Sequence, residues 1–263
     1  MTESDPRVQS PPMLSIVVPA YNEARRLPAT VQAVRKAMDG WPFSCELVLV
    51  DDGSSDGTAE LIAGLAEKDP RIVAVSYSPN RGKGGAVVAG VARSRGSRVM
   101  FFDADLSYPL SAVPELVRRL DAAPVVVGAR DLHKDGDGKD GGRAEYSPTR
   151  KLTSVVFNAF VGLFLRLGVK DTQCGFKGFD GGLARGLFPH LAVTGFGFDV
   201  ELLFLARRWG VTIDRMPIRM VNREGSSVSV LRHSLQMARD VLRIRWRAWR
   251  GRYPKQRPSS GPG

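Results

Sequence analysis

Two cysteines and three histidines are too few for a disulfide framework or a histidine-rich metal centre in a chain of 263 residues. Cys45 and Cys174 fit a reducing, cytosolic setting. His133, His190 and His233 are scattered and form no zinc spacing with them. No run approaches the roughly 18–20 apolar residues that cross a bilayer, so no integral span is expected. Residues 1–12 are polar and proline-bearing and carry no apolar leader region; they are expected to be disordered. Internal repeats, a Walker A sequence and the dinucleotide-binding glycine pattern are all missing. Acidic residues are in the minority, 27 against 38 basic ones, for a net charge of +11. That excess collects near the end, where nine Lys or Arg face one acid, Asp240, between Arg232 and Arg257. Such a segment calls for an anionic partner. No nucleic-acid motif accompanies it, so a membrane surface is expected and nucleic acid is not.

What is present is a regular alternation of strand and helix signals. Apolar runs at Leu14–Val18, Glu46–Val50, Ile72–Tyr77, Val99–Phe102 and Val125–Gly128 read as buried strands. Between them, helical spacing predicts helices over Leu27–Met38, Thr58–Glu67, Ala86–Ser94 and Leu110–Leu120. Strands alternating with helices through short loops mean an α/β fold, a doubly wound and mostly parallel sheet flanked by helices. In such sheets ligands bind past the carboxyl ends of the strands.

The chemistry collects at those ends. Asp103 and Asp105 follow the fourth strand one residue apart, and in extended chain residues i and i+2 point the same way. Two convergent carboxylates suit Mg²⁺ or Mn²⁺, with a substrate diphosphate completing the shell. Glu23 follows the first strand and Asp52 the second, so four carboxylates are expected in one crevice. They would repel one another without a cation among them. Asp56, just before the helix at Thr58, is expected to cap it. Asn80-Arg81-Gly82-Lys83-Gly84-Gly85 pairs close backbone approach with positive charge and resembles a phosphate loop.

These motifs, in this order and at these distances, resemble the signature set of family 2 glycosyltransferases with the GT-A fold: Val18-Pro19-Ala20-Tyr21-Asn22-Glu23, Val50-Asp51-Asp52-Gly53-Ser54-Ser55-Asp56-Gly57-Thr58, Asn80-Arg81-Gly82-Lys83-Gly84 and Asp103-Ala104-Asp105. Asp171-Thr172-Gln173-Cys174-Gly175-Phe176-Lys177, Phe198-Asp199-Val200-Glu201, Glu224-Gly225-Ser226 and the stretch from Gln236-Met237 to Arg245 narrow the likeness to the dolichyl-phosphate β-glucosyltransferase branch. The resemblance covers about Leu14 to Arg252. It implies transfer of a sugar from a nucleotide diphosphate sugar to a polyprenyl phosphate, with inversion. Pro19, Tyr21, Glu23, Asp52 and Lys83 would hold or lie near the nucleotide, most simply uridine. Asp103 would sit by the ribose or sugar, Asp105 on the metal with Asp103 beside it, and Gln173 at the sugar. Asp199 falls where the family often places its catalytic carboxylate; it would act as a base, with Asp103 in the same reacting region, or orient the sugar. Two departures stand out. The eukaryotic members carry an amino-terminal anchor that residues 1–12 do not provide. Gly128-Ala129-Arg130 replaces their Gly-Ser-Arg.

The second half would handle the acceptor. Residues 13–130 are read as the nucleotide-sugar half of one catalytic domain and 131–228 as its acceptor half, followed by a helix at 229–252 and a disordered tail from 253. Asp131–Pro148 is polar and glycine-rich, and Arg130, Arg143, Arg150 and Lys151 around it are candidates for the acceptor phosphate. Leu152–Leu167 is broadly apolar and reads either as a buried helix or as one lying in a membrane interface. Leu231, Leu235, Ala238, Leu242, Trp246 and Trp249 form one stripe of a final helix flanked by arginines, the pattern of an interfacial helix. The expected protein is a peripheral enzyme at the cytoplasmic face of a membrane, with an integral-membrane partner as a further expectation. UDP-glucose leads among donors, ahead of UDP-N-acetylhexosamine or galactosamine types and GDP-mannose. Transfer to a soluble acceptor and a non-catalytic membrane-binding module are the remaining alternatives.

Overall fold

The computed structural model describes residues 10–132, 164–165, 171–221 and 230–256, the side chains of 230–235 excepted. Among the described residues seven strands form one sheet: β1 (Leu14–Ala20), β2 (Cys45–Asp51), β3 (Ile72–Ser76), β4 (Arg98–Phe101), β5 (Val125–Ala129), β6 (Lys177–Asp180) and β7 (Ile213–Pro217). Their order is β3-β2-β1-β4-β6-β5-β7. β1 runs parallel to β2 and β4, β2 to β3, and β5 to β7. Only β6 is reversed, antiparallel to both β4 and β5. The carboxyl ends of β1, β2 and β4 therefore share one edge, and the amino end of β6 joins them there.

Helices cover both faces: α1 (Leu27–Asp39), α2 (Thr58–Lys68), α3 (Gly82–Arg93), α4 (Val113–Arg119), α5 (Gly181–Leu187), α6 (Phe198–Arg208) and α7 (Val230–Trp249). All of β2 and nearly all of β1 are buried, as strands covered on both faces must be. Alternate residues feed two cores. Val17, Val48, Val50 and Phe101 pack with Ala86, Val87 and Val91 of α3 and with Phe198 of α6. Ile16, Val18, Leu47, Leu49 and Met100 pack with Leu27, Val31 and Val34 of α1. α3 comes close to the sheet because Gly90 has no side chain; a Cβ there would meet Val17 Cγ1 and would lie 2.9 Å from Val50 Cγ2. Gly90→Val is expected to lower unfolding stability by about 1–3 kcal/mol through overpacking. An unchanged denaturant midpoint would contradict this packing.

Several elements differ from the sequence expectation. α3 begins at Gly82, so the glycine-rich stretch is its first turn rather than a loop before Ala86. α5 was not foreseen; Asp180 caps it by accepting the Leu183 N–H at 2.7 Å. Asp56 is not itself the cap of α2. That position belongs to Gly57 at φ 88, and Asp56 accepts the Thr58 N–H from one residue further out, at 3.1 Å. The expected tail starts too early as well. Tyr253 is 1% exposed and its hydroxyl donates to Glu201, while Trp209 Nε1 donates to the Pro254 carbonyl at 3.2 Å. Burial of an aromatic ring and a satisfied hydroxyl hold this part of the chain in the core.

Within 152–167 only Phe164 and Leu165 are described; they are helical, and Leu165 is buried in the first core. Arg143, Arg150, Lys151 and the Glu224-Gly225-Ser226 stretch lie outside the described residues.

Candidate active site

The strand ends open into a crevice of about 590 Å³ whose wall includes Pro19, Tyr21, Glu23, Asp52, Lys83, Asp103, Asp105, Arg130 and Gln173. All seven residues expected at the nucleotide sugar are on that wall, together with the second expected metal carboxylate. Asn80 of the expected phosphate loop lines it too, and so do Tyr108, Phe196 and Met220, which were not foreseen. Phe196 is 46% exposed, with its ring centroid 5.9 Å from Lys83 Nζ.

Backbone and side chains of the first two loops stitch one rim together. The Asn22 N–H donates to Ser54 Oγ at 2.9 Å, and Asn22 Oδ1 accepts the Ser55 N–H at 3.0 Å. The Glu23 N–H donates to Thr58 Oγ1 at 3.0 Å, and the Ala24 N–H to Asp56 Oδ2 at 3.1 Å. Asn22 holds φ 55, a left-handed conformation that asparagine tolerates. Leu106, at φ 51, does so less readily, and it sits in the turn that brings the Ser107 N–H back to Asp105 Oδ1 at 2.9 Å.

Asp52 is a structural node as well as a wall residue. Its carboxylate accepts from the Tyr77 hydroxyl at 2.7 Å, the Arg81 N–H at 2.8 Å and Asn80 Nδ2 at 2.9 Å. These bonds tie β2 to the Asn80–Gly85 segment. The Gly84 and Gly85 N–H groups both point at the Thr194 carbonyl, at 2.7 and 3.3 Å, and Gly82 N donates to Asn80 Oδ1 at 3.0 Å. The segment is therefore not an open cradle of backbone donors. Gly82, at φ 82, is required by close approach, since a Cβ there would stand 2.7 Å from the Thr194 oxygen. The charge that the segment offers the crevice is the Lys83 side chain, beside Asn80 and Gly82.

Lys83 Nζ pairs with Asp103 Oδ1 at 2.5 Å. Burial works against the charge of Lys83, but Asp103, Asp199 and Asp105 together hold its ammonium above the ordinary lysine range. Burial likewise pushes the Glu23 carboxyl up; Arg26 pulls it back, and Asp105, Asp56 and Asp103 push it further up. Negative charge is thus crowded around Glu23, Asp103 and Asp105. Hard carboxylate oxygens under mutual repulsion fit a Mg²⁺ or Mn²⁺ ion. Among the described residues no group of three or more His, Cys, Asp or Glu forms a metal cage, so such an ion would draw further ligands from substrate and water.

Arg130 lies on the wall, but Asp171 holds its guanidinium in a fork, Nε to Oδ2 at 2.9 Å and Nη2 to Oδ1 at 2.7 Å. Asp199 is elsewhere. It is 4% exposed, outside the crevice wall, and pairs with Lys177 Nζ at 2.7 Å. α7 packs against the two loops bordering this side: Gln173 Nε2 donates to Met237 Sδ, and a Cβ at Gly195 would meet Gln236 Nε2 at 3.1 Å. Its inner residues Val241 and Ile244 are buried, and Leu242, Trp246 and Trp249 face out. No helix among the described residues is long and apolar enough to cross a membrane.

Comparison with known proteins fits this geometry. The sequence model described as glycosyl transferase family 2 matches residues 15–185. A dolichyl-phosphate beta-glucosyltransferase of Dictyostelium discoideum is 36% identical over 246 residues, covering 89% of this chain and 74% of that protein. The Homo sapiens protein of the same name is 34% identical over 256 residues, covering 90% and 77%. Among solved structures, mannosyl-3-phosphoglycerate synthase from Rubrobacter xylanophilus superposes with a TM-score of 0.64 at 20% identity, covering 92% of this chain and 76% of that one. Glucosyl-3-phosphoglycerate synthase from Mycobacterium tuberculosis, in complex with Mn²⁺, UDP and phosphoglyceric acid, gives 0.59 at 23% identity, covering 96% and 81%. These likenesses extend to the whole mostly parallel sheet and its flanking helices, the GT-A architecture.

Proposed function

The chain belongs to glycosyltransferase family 2, and from that premise we propose that it moves a sugar, glucose first, from a UDP-sugar to a polyprenyl or dolichyl phosphate. The names of its relatives support this acceptor and sugar. The observation that carries the reading is the single crevice holding Tyr21, Glu23, Asp52, Lys83, Asp103, Asp105 and Gln173 at the strand ends.

In this reading Pro19, Tyr21 and Glu23 border the base and ribose, with Asp52 fixing the wall behind them. Asp105 and Asp103 would hold Mg²⁺ or Mn²⁺. When bound, the ion neutralises charge growing on the leaving diphosphate. Lys83 keeps Asp103 oriented and adds a cation near the same oxygens. Gln173 orients the sugar. An acceptor phosphate oxygen forms the new bond to the sugar's anomeric carbon from the face opposite the leaving group, and the bond to UDP breaks. With a second pKa near about 6, a phosphate monoester is already largely a dianion at neutral pH, so little base strength is required. That lets Asp199 act by orientation from below. Arg130 is the described candidate for the acceptor anion, and the phosphate would compete with Asp171 for its guanidinium fork. Arg143, Arg150 and Lys151 remain proposed partners of the same anion.

α7 supports work at an anionic membrane surface, and we propose the cytoplasmic face. Arg250 lies over the rings of the outward Trp246 and Trp249, 5.2 and 5.7 Å from their centroids. Replacing the exposed Arg239, Arg243 and Arg250 by Gln is expected to weaken binding to phosphatidylserine-containing vesicles roughly 100-fold, at about 1 kcal/mol per basic residue. Arg247 is left in place because its guanidinium stands 5.3 Å over the Tyr253 ring and serves the core. Undiminished vesicle binding would contradict the assignment of this face.

The acceptor class is tested by offering UDP-glucose with polyprenyl phosphate or with 3-phosphoglycerate, the soluble acceptor type in the complex of the M. tuberculosis structural neighbour. Transfer to the lipid alone is expected. Transfer to phosphoglycerate alone would overturn the acceptor and leave the family standing.

A further inference from the structure

Beneath the crevice lies a buried charge that the proposed transfer does not use. Lys177 opens β6 and is completely buried, with 0% exposure. It pairs in register with Phe101 at the end of β4 and with Val127 of β5, which places it at the site edge of the sheet. Its ammonium lies 5.7 Å from the Phe101 ring centroid and has two hydrogen-bond partners. It donates to the Cys174 carbonyl at 2.5 Å and to Asp199 Oδ1 at 2.7 Å. Asp199 stands in the first turn of α6, where the helix dipole favours an anion. The Cys174 carbonyl belongs to the segment that carries Gln173 and Gly175 onto the crevice wall. That segment passes close under the carboxylates, since a Cβ at Gly175 would come within 2.8 Å of Asp103 Oδ2.

A fully buried lysine is costly, and a hydrophobic residue of similar volume would fill the same space without desolvating a charge. Its two bonds therefore point to a task that packing alone does not perform. The geometry points to Lys177 as a positioning residue: its ammonium locks the Asp171–Phe176 segment, through the Cys174 carbonyl, against Asp199 and α6, and so sets where Gln173 and Gly175 meet the sugar. Lys177 touches no substrate in this arrangement. It acts through the segment, and Asp199 is its counter-ion and second anchor. The inference rests on the transfer reading for its consequence in turnover. The locking itself depends on no substrate.

The test compares Lys177→Met, Asp199→Asn and the double variant, each in the full chain. Hydrogen–deuterium exchange of residues 172–176 is read without any ligand. In Lys177→Met the exchange rate of that segment is expected to rise about tenfold, with β1 and β2 unchanged, because local opening follows the loss of its tie. Turnover with the preferred UDP-sugar is expected to fall about 100-fold, as a misplaced positioning element does, while KM for the donor stays within about threefold. The double variant removes both charges and is expected to regain the parent melting temperature but not the slow exchange, since the Cys174 carbonyl still lacks its donor. Should Lys177→Met fail to fold, the double variant carries the comparison. Parent-like exchange in the double variant would overturn the inference and make the pair merely structural. Unchanged exchange in a folded Lys177→Met would also overturn it. A parent enzyme that makes no lipid-linked sugar would refute the acceptor reading instead, and the exchange contrast would still decide the role of Lys177.

Discussion

Asp105→Ala is expected to leave a folded protein with sugar transfer reduced by at least about 1,000-fold, several kcal/mol of lost charge stabilisation at the leaving diphosphate. The fold should tolerate the change. Asp105 is half-buried at the rim of the crevice, and its bond from the Ser107 N–H is worth about 0.5–1.5 kcal/mol. Two further readouts accompany activity. The affinity for Mn²⁺ in the presence of UDP should collapse, and the melting temperature should move by only a few degrees. Parent-like turnover would remove Asp105 from the metal assignment. A large loss of stability would mean that the turn at Leu106, and not a bound cation, explains the effect.

Lys83→Met should be nearly as damaging, for a different reason. The variant leaves Asp103 beside Asp105 and Glu23 with its 2.5 Å partner removed. It also deletes a cation that Asp103, Asp199 and Asp105 together keep charged against the effect of burial. Loss of one preorganised charge of this kind costs about 100- to 1,000-fold in turnover. Lys83→Arg should recover part of it, since the charge is kept and the shape is not. Activity within a fewfold of the parent in Lys83→Met would show that the ion pair serves only the ground-state architecture of the loop.

The sequence carried the gathering of carboxylates in one crevice well because its logic is local. Each carboxylate directly follows an apolar run, and parallel strands deliver all such positions to one edge; Glu23, Asp52, Asp103 and Asp105 do line one crevice. What the sequence did not carry depends on distant chain. Nothing near Gly84 announces that the Thr194 carbonyl takes its N–H, and so the glycine-rich stretch reads as an anion loop when the N–H groups of Arg81, Gly82, Gly84 and Gly85 are already engaged. Lys177 was legible only as the last residue of the Asp171–Lys177 motif; its burial and its pairing with Asp199 follow from β6 being inserted, reversed, between β4 and β5. α5 is seven residues long and three of them are glycine, so no helical spacing announced it. The final helix shows both sides of the matter. Its outward stripe at Leu242, Trp246 and Trp249 was visible as spacing, but the opposite stripe through Val241 and Ile244 needed the core to give it meaning.

The central claim is most directly tested by incubating the purified protein with each radiolabelled UDP- or GDP-sugar and polyprenyl phosphate in detergent, with and without Mn²⁺, and counting label extracted into organic solvent. The account predicts Mn²⁺-dependent lipid-borne label from a UDP-sugar, UDP-glucose foremost. Lipid-borne label from GDP-mannose alone, or none from any donor in the presence of Mn²⁺, would contradict it.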